Sequence, residues 1–89
     1  MSMIELVHIK VAGDQLLDVA FSDGATARWS AETMIARDTV LTRPLTDPAY
    51  FARAFIEAGA LAWPNGLELS PMALHRRLDE AGALIRKAA

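Results

Sequence analysis

The chain has 89 residues, 9 Lys plus Arg against 11 Asp plus Glu, 2 His and no Cys. A chain of that length is one domain, 1–89, burying roughly 60 to 65% of its unfolded surface; without cysteine it has no disulfide, no thiolate nucleophile and no Cys ligand for zinc. The net charge of −2 argues against a dedicated nucleic-acid binder, and no apolar run approaches the roughly 20 residues of a membrane span.

The first third alternates with the period of a strand. Over Ile4 to Val11 the residues Val7, Ile9 and Val11 share one face, with His8 and Lys10 on the other. Leu17, Val19 and Phe21 alternate with Leu16, Asp18 and Ala20, and Ala25, Ala27 and Trp29 alternate with Thr26 and Arg28. A two-residue loop at Asp23-Gly24 would set Thr26 and Arg28 on the apolar face. A three-residue loop of Ser22, Asp23 and Gly24 pairs Phe21 with Ala25, Val19 with Ala27 and Leu17 with Trp29, and predicts Gly24 at positive φ in a G1-bulge hairpin. The same parity around Gly13-Asp14-Gln15 pairs Val11 with Leu17, Ile9 with Val19 and Val7 with Phe21. The expected unit is a three-stranded antiparallel meander.

Ser30 reads as the N-cap of a short helix over 31–36, with Glu32 near its positive end. The stretch 37–43 has no clear periodicity, and 44–48 is a connector. Asp47-Pro48 is an N-cap followed by proline at the first helical position, opening one or two turns that carry Tyr50 and Phe51. Pro64-Asn65-Gly66 is a turn. Ser70-Pro71 opens a C-terminal amphipathic helix with Leu74, Leu78, Ala81 and Ile85 as its stripe, ending near Ala81 if Gly82 breaks it.

Enzyme readings lack parts. There is no HExxH, GxSxG, P-loop or GxGxxG arrangement. His8 is a solvated strand residue; His75 stands four before Asp79, the spacing of a helix-surface pair. Asp14, Asp23 and Asp47 fall where carboxylates cap backbone amides. No metal, cofactor or catalytic set is nominated.

Arg76, Arg77, Arg86 and Lys87 give 71–89 a charge of +2, against −4 for the rest. This polarity steers the last helix towards an acidic partner, or simply complements its own dipole. Trp63-Pro64-Asn65-Gly66 is a recognition loop with an aromatic anchor and an amide, or a strand end followed by ordinary turn chemistry.

Phe21-Ser22-Asp23-Gly24, then Pro44-Leu45 with Asp47-Pro48 and Phe51, then Trp63-Pro64-Asn65-Gly66 with Leu69, Pro71 and Leu74, resembles the bacterial domain-of-unknown-function family 2442 over about residues 6–74. Glu68 stands where that pattern usually has aspartate. The resemblance implies a small α+β fold: the meander, a second short hairpin with a strand over 53–57 returning over 60–63, two short helices and the terminal helix. The turn of that hairpin falls at Ala58-Gly59. It implies no established activity; some members sit beside a second small protein in pairs suspected to be toxin and antitoxin, and some carry an added helix-turn-helix. Residues 75–89 are too few for that addition.

The expectation is therefore a small non-enzymatic cytoplasmic protein-interaction domain, antitoxin-like or accessory in a two-protein pair, with a protein partner and homodimer formation as ways to bury more apolar surface. Trp63, Asn65, Arg76 and Arg77 are the contact candidates. The alternatives are a small-molecule binder using a pocket between meander and terminal helix, and a nucleic-acid-binding accessory acting through that helix.

Overall fold

A computed structural model describes residues 3–86. Strands β1 (Leu6–Gly13), β2 (Leu16–Phe21) and β3 (Thr26–Ser30) form one antiparallel sheet in the order β1-β2-β3. Helix α1 (Glu32–Ala36), a 3₁₀ turn (Arg43–Thr46) and helix α2 (Pro48–Phe51) lead to a second sheet, β4 (Phe55–Glu57), β5 (Ala60–Ala62) and β6 (Glu68–Leu69), followed by α3 (Pro71–Glu80). The fold is α+β, as the residues predict. The second hairpin is in fact three-stranded, because two residues beyond the Pro64-Asn65-Gly66 turn pair back onto β5.

The β2/β3 register matches the parity argument: Val19 opposes Ala27, and Leu17 opposes Trp29. Gly24 has φ +90°. Leu17, Val19, Phe21, Ala25 and Ala27 are buried, and Trp29 packs half-buried on the same core cluster. Two details of β1 differ. Ile9 and Val11 do oppose Val19 and Leu17, but register shifts on either side leave Val7 and Ala12 as extra residues. Leu6, rather than Val7, therefore faces Phe21, and Val7 is exposed. The first connection is a two-residue turn, Asp14-Gln15, between Gly13 and Leu16, with a bulge supplying the odd residue. Loop length and bulge are interchangeable in parity, so alternation alone cannot separate them.

The turns after β2 and β5 are built alike. In each, an aromatic N–H (Phe21, Trp63) donates to the carbonyl four residues on, at 2.8 and 3.0 Å, and the loop glycine donates back to the aromatic's carbonyl, at 3.0 and 3.1 Å. Asp23 Oδ1 accepts from Ala25 N at 3.0 Å, as Asn65 Oδ1 accepts from Leu67 N at 3.1 Å. Gly66, at φ +94°, matches Gly24. Phe-Ser-Asp-Gly-Ala and Trp-Pro-Asn-Gly-Leu are thus one structural solution: an Asx side chain caps the amide that follows the left-handed glycine.

The helix starts follow from local chemistry, with one change. Asp47 Oδ1 accepts from Ala49 N, and Ser70 Oγ accepts from Ala73 N. Ser30 sits one residue ahead of its expected place: Ala31 occupies the N-cap of α1 and the Ser30 hydroxyl accepts from Glu32 N at 3.1 Å. Strand β4 begins at Phe55 rather than Arg53, since Arg53 and Ala54 donate to Tyr50 and Phe51 in the turn leaving α2. Strand β5 stops at Ala62, one residue before Trp63.

Helix α3 ends where Gly82 predicts. Ala83 N donates to Leu78 O at 2.8 Å and Gly82 N to Asp79 O at 3.0 Å, with Gly82 at φ +70°, the Schellman arrangement. Only Leu74 and Leu78 of the expected stripe are buried. Ala81 is exposed, and Ile85 lies outside the helix, where it exchanges two backbone hydrogen bonds with Thr26 on the edge of β3. One core cluster joins both sheets to the helices, with Phe21, Phe51, Trp63 and Leu17 among its fully buried side chains. Among the described residues no helix is long and apolar enough to cross a membrane.

Candidate functional site

The two sheets meet the helices around a half-open cleft of about 460 Å³. Its floor is apolar, formed by Trp29 at the end of β3, Met34 of α1, Leu67 ahead of β6 and Leu74 of α3. Arg37, the C-cap of α1, stands on its lining with Arg77 of α3, and Glu68 of β6 is the lining's acid. Neither arginine makes a side-chain hydrogen bond or ion pair among the described residues. A pocket between meander and terminal helix is where the small-molecule alternative requires one.

The walls are held by contacts that local patterning does not announce. Beyond Arg37 the chain reverses through Asp38, at φ +52°, whose carboxylate pairs with Arg43 at 2.7 Å. Thr39 and the buried Thr42 cross-link the loop: each amide donates to the other's hydroxyl, at 3.0 and 3.1 Å. Leu41, exposed on the cleft wall, is fixed through its carbonyl, which accepts from Asn65 Nδ2 at 3.1 Å.

Of the four contact candidates only Arg77 reaches this cleft. Trp63 is 1% exposed, and its indole N–H donates to Phe51 O at 3.0 Å. It lies 5.8 Å from the Phe51 ring and 6.2 Å from Trp29. Such a side chain cannot anchor a partner while the domain is folded, so the surface-anchor reading is corrected to a core role. Asn65 is exposed, but its amide group serves the turn and Leu41, and its backbone N–H donates to the Tyr50 hydroxyl at 3.1 Å. Arg76 is exposed on α3, outside the cleft. Trp29 and Arg37 are the lining residues that sequence patterning passed over: Trp29 reads as core, and Arg37 opens a segment without period.

A second cluster lies where Asp23 meets α3. His75 does not pair with Asp79; its Nε2 lies 2.9 Å from Asp23 Oδ2, and its ring meets Phe21 edge-on with centroids 4.9 Å apart. Arg86 reaches Asp79 at 3.2 Å and Asp23 at 3.9 Å. The ring's other nitrogen makes no hydrogen bond among the described residues. The described residues contain no group of three or more His, Cys, Asp or Glu able to hold a metal.

The Ala25 amide, the largest influence, holds the Asp23 carboxyl below the usual carboxylate range, helped by the His75 hydrogen bond and the charges of His75 and Arg86, while partial burial opposes. A carboxyl depressed on folding stabilises the folded state above its unfolded pKa of about 3.9, and that contribution is lost as pH falls through the lower folded value. Urea denaturation across acidic pH should therefore show a shallower loss of stability in Asp23→Asn than in the wild type. The asparagine oxygen can still accept from Ala25, as Asn65 does in the parallel turn. Equal acid slopes would remove Asp23 as a source of acid lability. Asp18 is likewise held low by its hydrogen bond to Arg28 at 2.8 Å. That pair is solvent-exposed and adds little.

Comparison of the chain with protein-family models, with curated proteins and with solved structures finds no match.

Proposed function

We propose that this chain is a non-enzymatic protein-interaction domain, the accessory or neutralising member of a two-protein pair, and that its partner docks in the cleft between α1, β6 and α3. The observation that carries this reading is the pairing of a pre-formed apolar floor with two guanidiniums, Arg37 and Arg77, that have no partner within the described chain. Guanidiniums beside an apolar surface suit a partner that presents carboxylates around an apolar contact. The nucleic-acid alternative is weakened because Arg86 is engaged by Asp79 and Asp23, which reduces the free positive charge of the terminal segment.

The test is co-expression with the protein encoded beside this one, followed by calorimetry on the purified pair. Arg37→Ala with Arg77→Ala should weaken the complex about tenfold or more, the worth of one or two charge-assisted hydrogen bonds, without changing the melting temperature. A complex indifferent to both substitutions, or no complex, would overturn the reading. The cleft volume also lies within the range of small-molecule sites, which favours a small carboxylate ligand as the second reading. Saturable binding of such an acid by a chain that stays monomeric would select it.

A further inference from the structure

Resting on the docking reading above, we propose that the partner enters the cleft as an extended acidic segment and adds as a strand to the free edge of β6. In an antiparallel pair, opposed residues alternate between those that exchange hydrogen bonds and those whose N–H and C=O point away from the neighbouring strand. Trp63 N donates to Leu67 O, so Trp63 and Leu67 are a bonded pair. Ala62 and Glu68 are the next pair along, and the alternation turns the Glu68 N–H and C=O outward, on the side of β6 away from β5.

The first sheet shows this phase rule at work. Phe21 and Ala25 are a bonded pair, so the neighbouring Thr26 points its backbone groups outward; Ile85 takes both, at 2.9 and 2.7 Å. The fold thus already satisfies one outward pair with an isolated antiparallel bridge. The equivalent pair at Glu68 has no backbone partner among the described residues, and it lies on the cleft lining. The free edge of β1 is a poorer template: extra residues at Val7 and Ala12 interrupt its ladder, and Lys10 lies between them.

Charge selects the incoming segment. Arg37 and Arg77 outnumber Glu68 on the lining. Along β6 the Glu68 side chain projects to the face opposite Leu67 and Leu69. A segment that alternates apolar and acidic residues can lay one face on Trp29 and Leu74 while offering carboxylates to the guanidiniums.

The experiment uses the whole chain, labelled with 15N, and a panel of end-capped pentapeptides alternating Leu with Asp or Glu. Each has an analogue N-methylated at its central residue and another with Lys replacing the acids. Strand addition predicts shift changes grouped around Glu68, Arg37 and Arg77, and amide exchange at Glu68 slowed about tenfold or more by the new hydrogen bond. It also predicts weaker binding by the N-methylated and Lys peptides and by Arg77→Ala. Arginine-dependent binding that leaves Glu68 exchange unchanged and tolerates N-methylation would overturn strand addition while leaving the docking reading intact. Acetate or benzoate binding as tightly as the peptides would overturn it in favour of a small carboxylate. No binding by any peptide at about 1 mM, the weak end of specific association, would overturn it as well, and the docking reading would then stand or fall on the co-expressed pair alone.

Discussion

Replacing Trp63 with alanine should cost about 3–5 kcal/mol, the range for removing a buried aromatic. The whole domain has roughly 4–13 kcal/mol at the usual stability per residue, so the substitution should remove between about a quarter and all of it. The size of the effect follows from where the indole lies. It is 1% exposed, wedged between Trp29 of the first sheet and Phe51 of α2, and it opens the turn that leads into β6. Trp63→Phe separates two contributions: it keeps much of the apolar volume but removes the indole N–H donated to Phe51 O, which still accepts from Ala54 N at 3.2 Å, so the hydrogen-bond share is about 0.5–1.5 kcal/mol. Urea titration followed by circular dichroism measures both variants. A Trp63→Ala domain within about 1 kcal/mol of the wild type would mean that the indole is not the joint between the two halves.

The first sheet is where the sequence was most legible. Strand alternation placed Leu17, Val19, Phe21, Ala27 and Trp29 on one side, because a hairpin's parity admits a single register that gathers all five on one face. Asp47-Pro48, Ser70-Pro71, Gly24 and Gly82 act through their own backbone geometry, so neighbouring residues suffice to place them. The features that escaped are set by distant partners. Strand β6 is two residues long, too short to carry a period, and exists because Leu61 and Ala62 are there to receive it. His75 had a carboxylate one helical turn away, yet it binds Asp23, 52 positions distant, because the packing of α3 on Phe21 brings that loop closer. Ile85 left the helical stripe once Gly82 ended α3 and the edge of β3 offered two hydrogen bonds. A pocket between meander and terminal helix, and Arg77 as a contact, were legible, but the rest of the lining was not: Trp29, Arg37 and Arg77 belong to three elements, and only the completed packing makes them neighbours.

A methyl group added at Gly59 should destabilise the domain by about 2–4 kcal/mol, combining left-handed backbone strain with steric crowding. Glu57 and Ala60 are joined by a two-residue turn in which Ala58 and Gly59 both have positive φ, 50° and 81°, the geometry of a type I′ hairpin. A Cβ at Gly59 would lie 2.8 Å from Glu5 Cγ and 2.9 Å from Glu5 Cβ. This is also where the sheets are tied, since Leu6 N donates to Gly59 O at 2.8 Å. Relief of the clash therefore means moving the start of β1 away from the second sheet, which weakens that hydrogen bond. Ala58→Gly should have the opposite sign or be near neutral, because relief of a left-handed alanine is set against the greater freedom glycine gives the unfolded chain. A double-mutant cycle with Glu5→Gly isolates the crowding. Without the Glu5 side chain, Gly59→Ala should cost only the backbone share, about 1–2 kcal/mol, and an unchanged cost in that background would show that the approach of β1 to the β4–β5 turn contributes nothing.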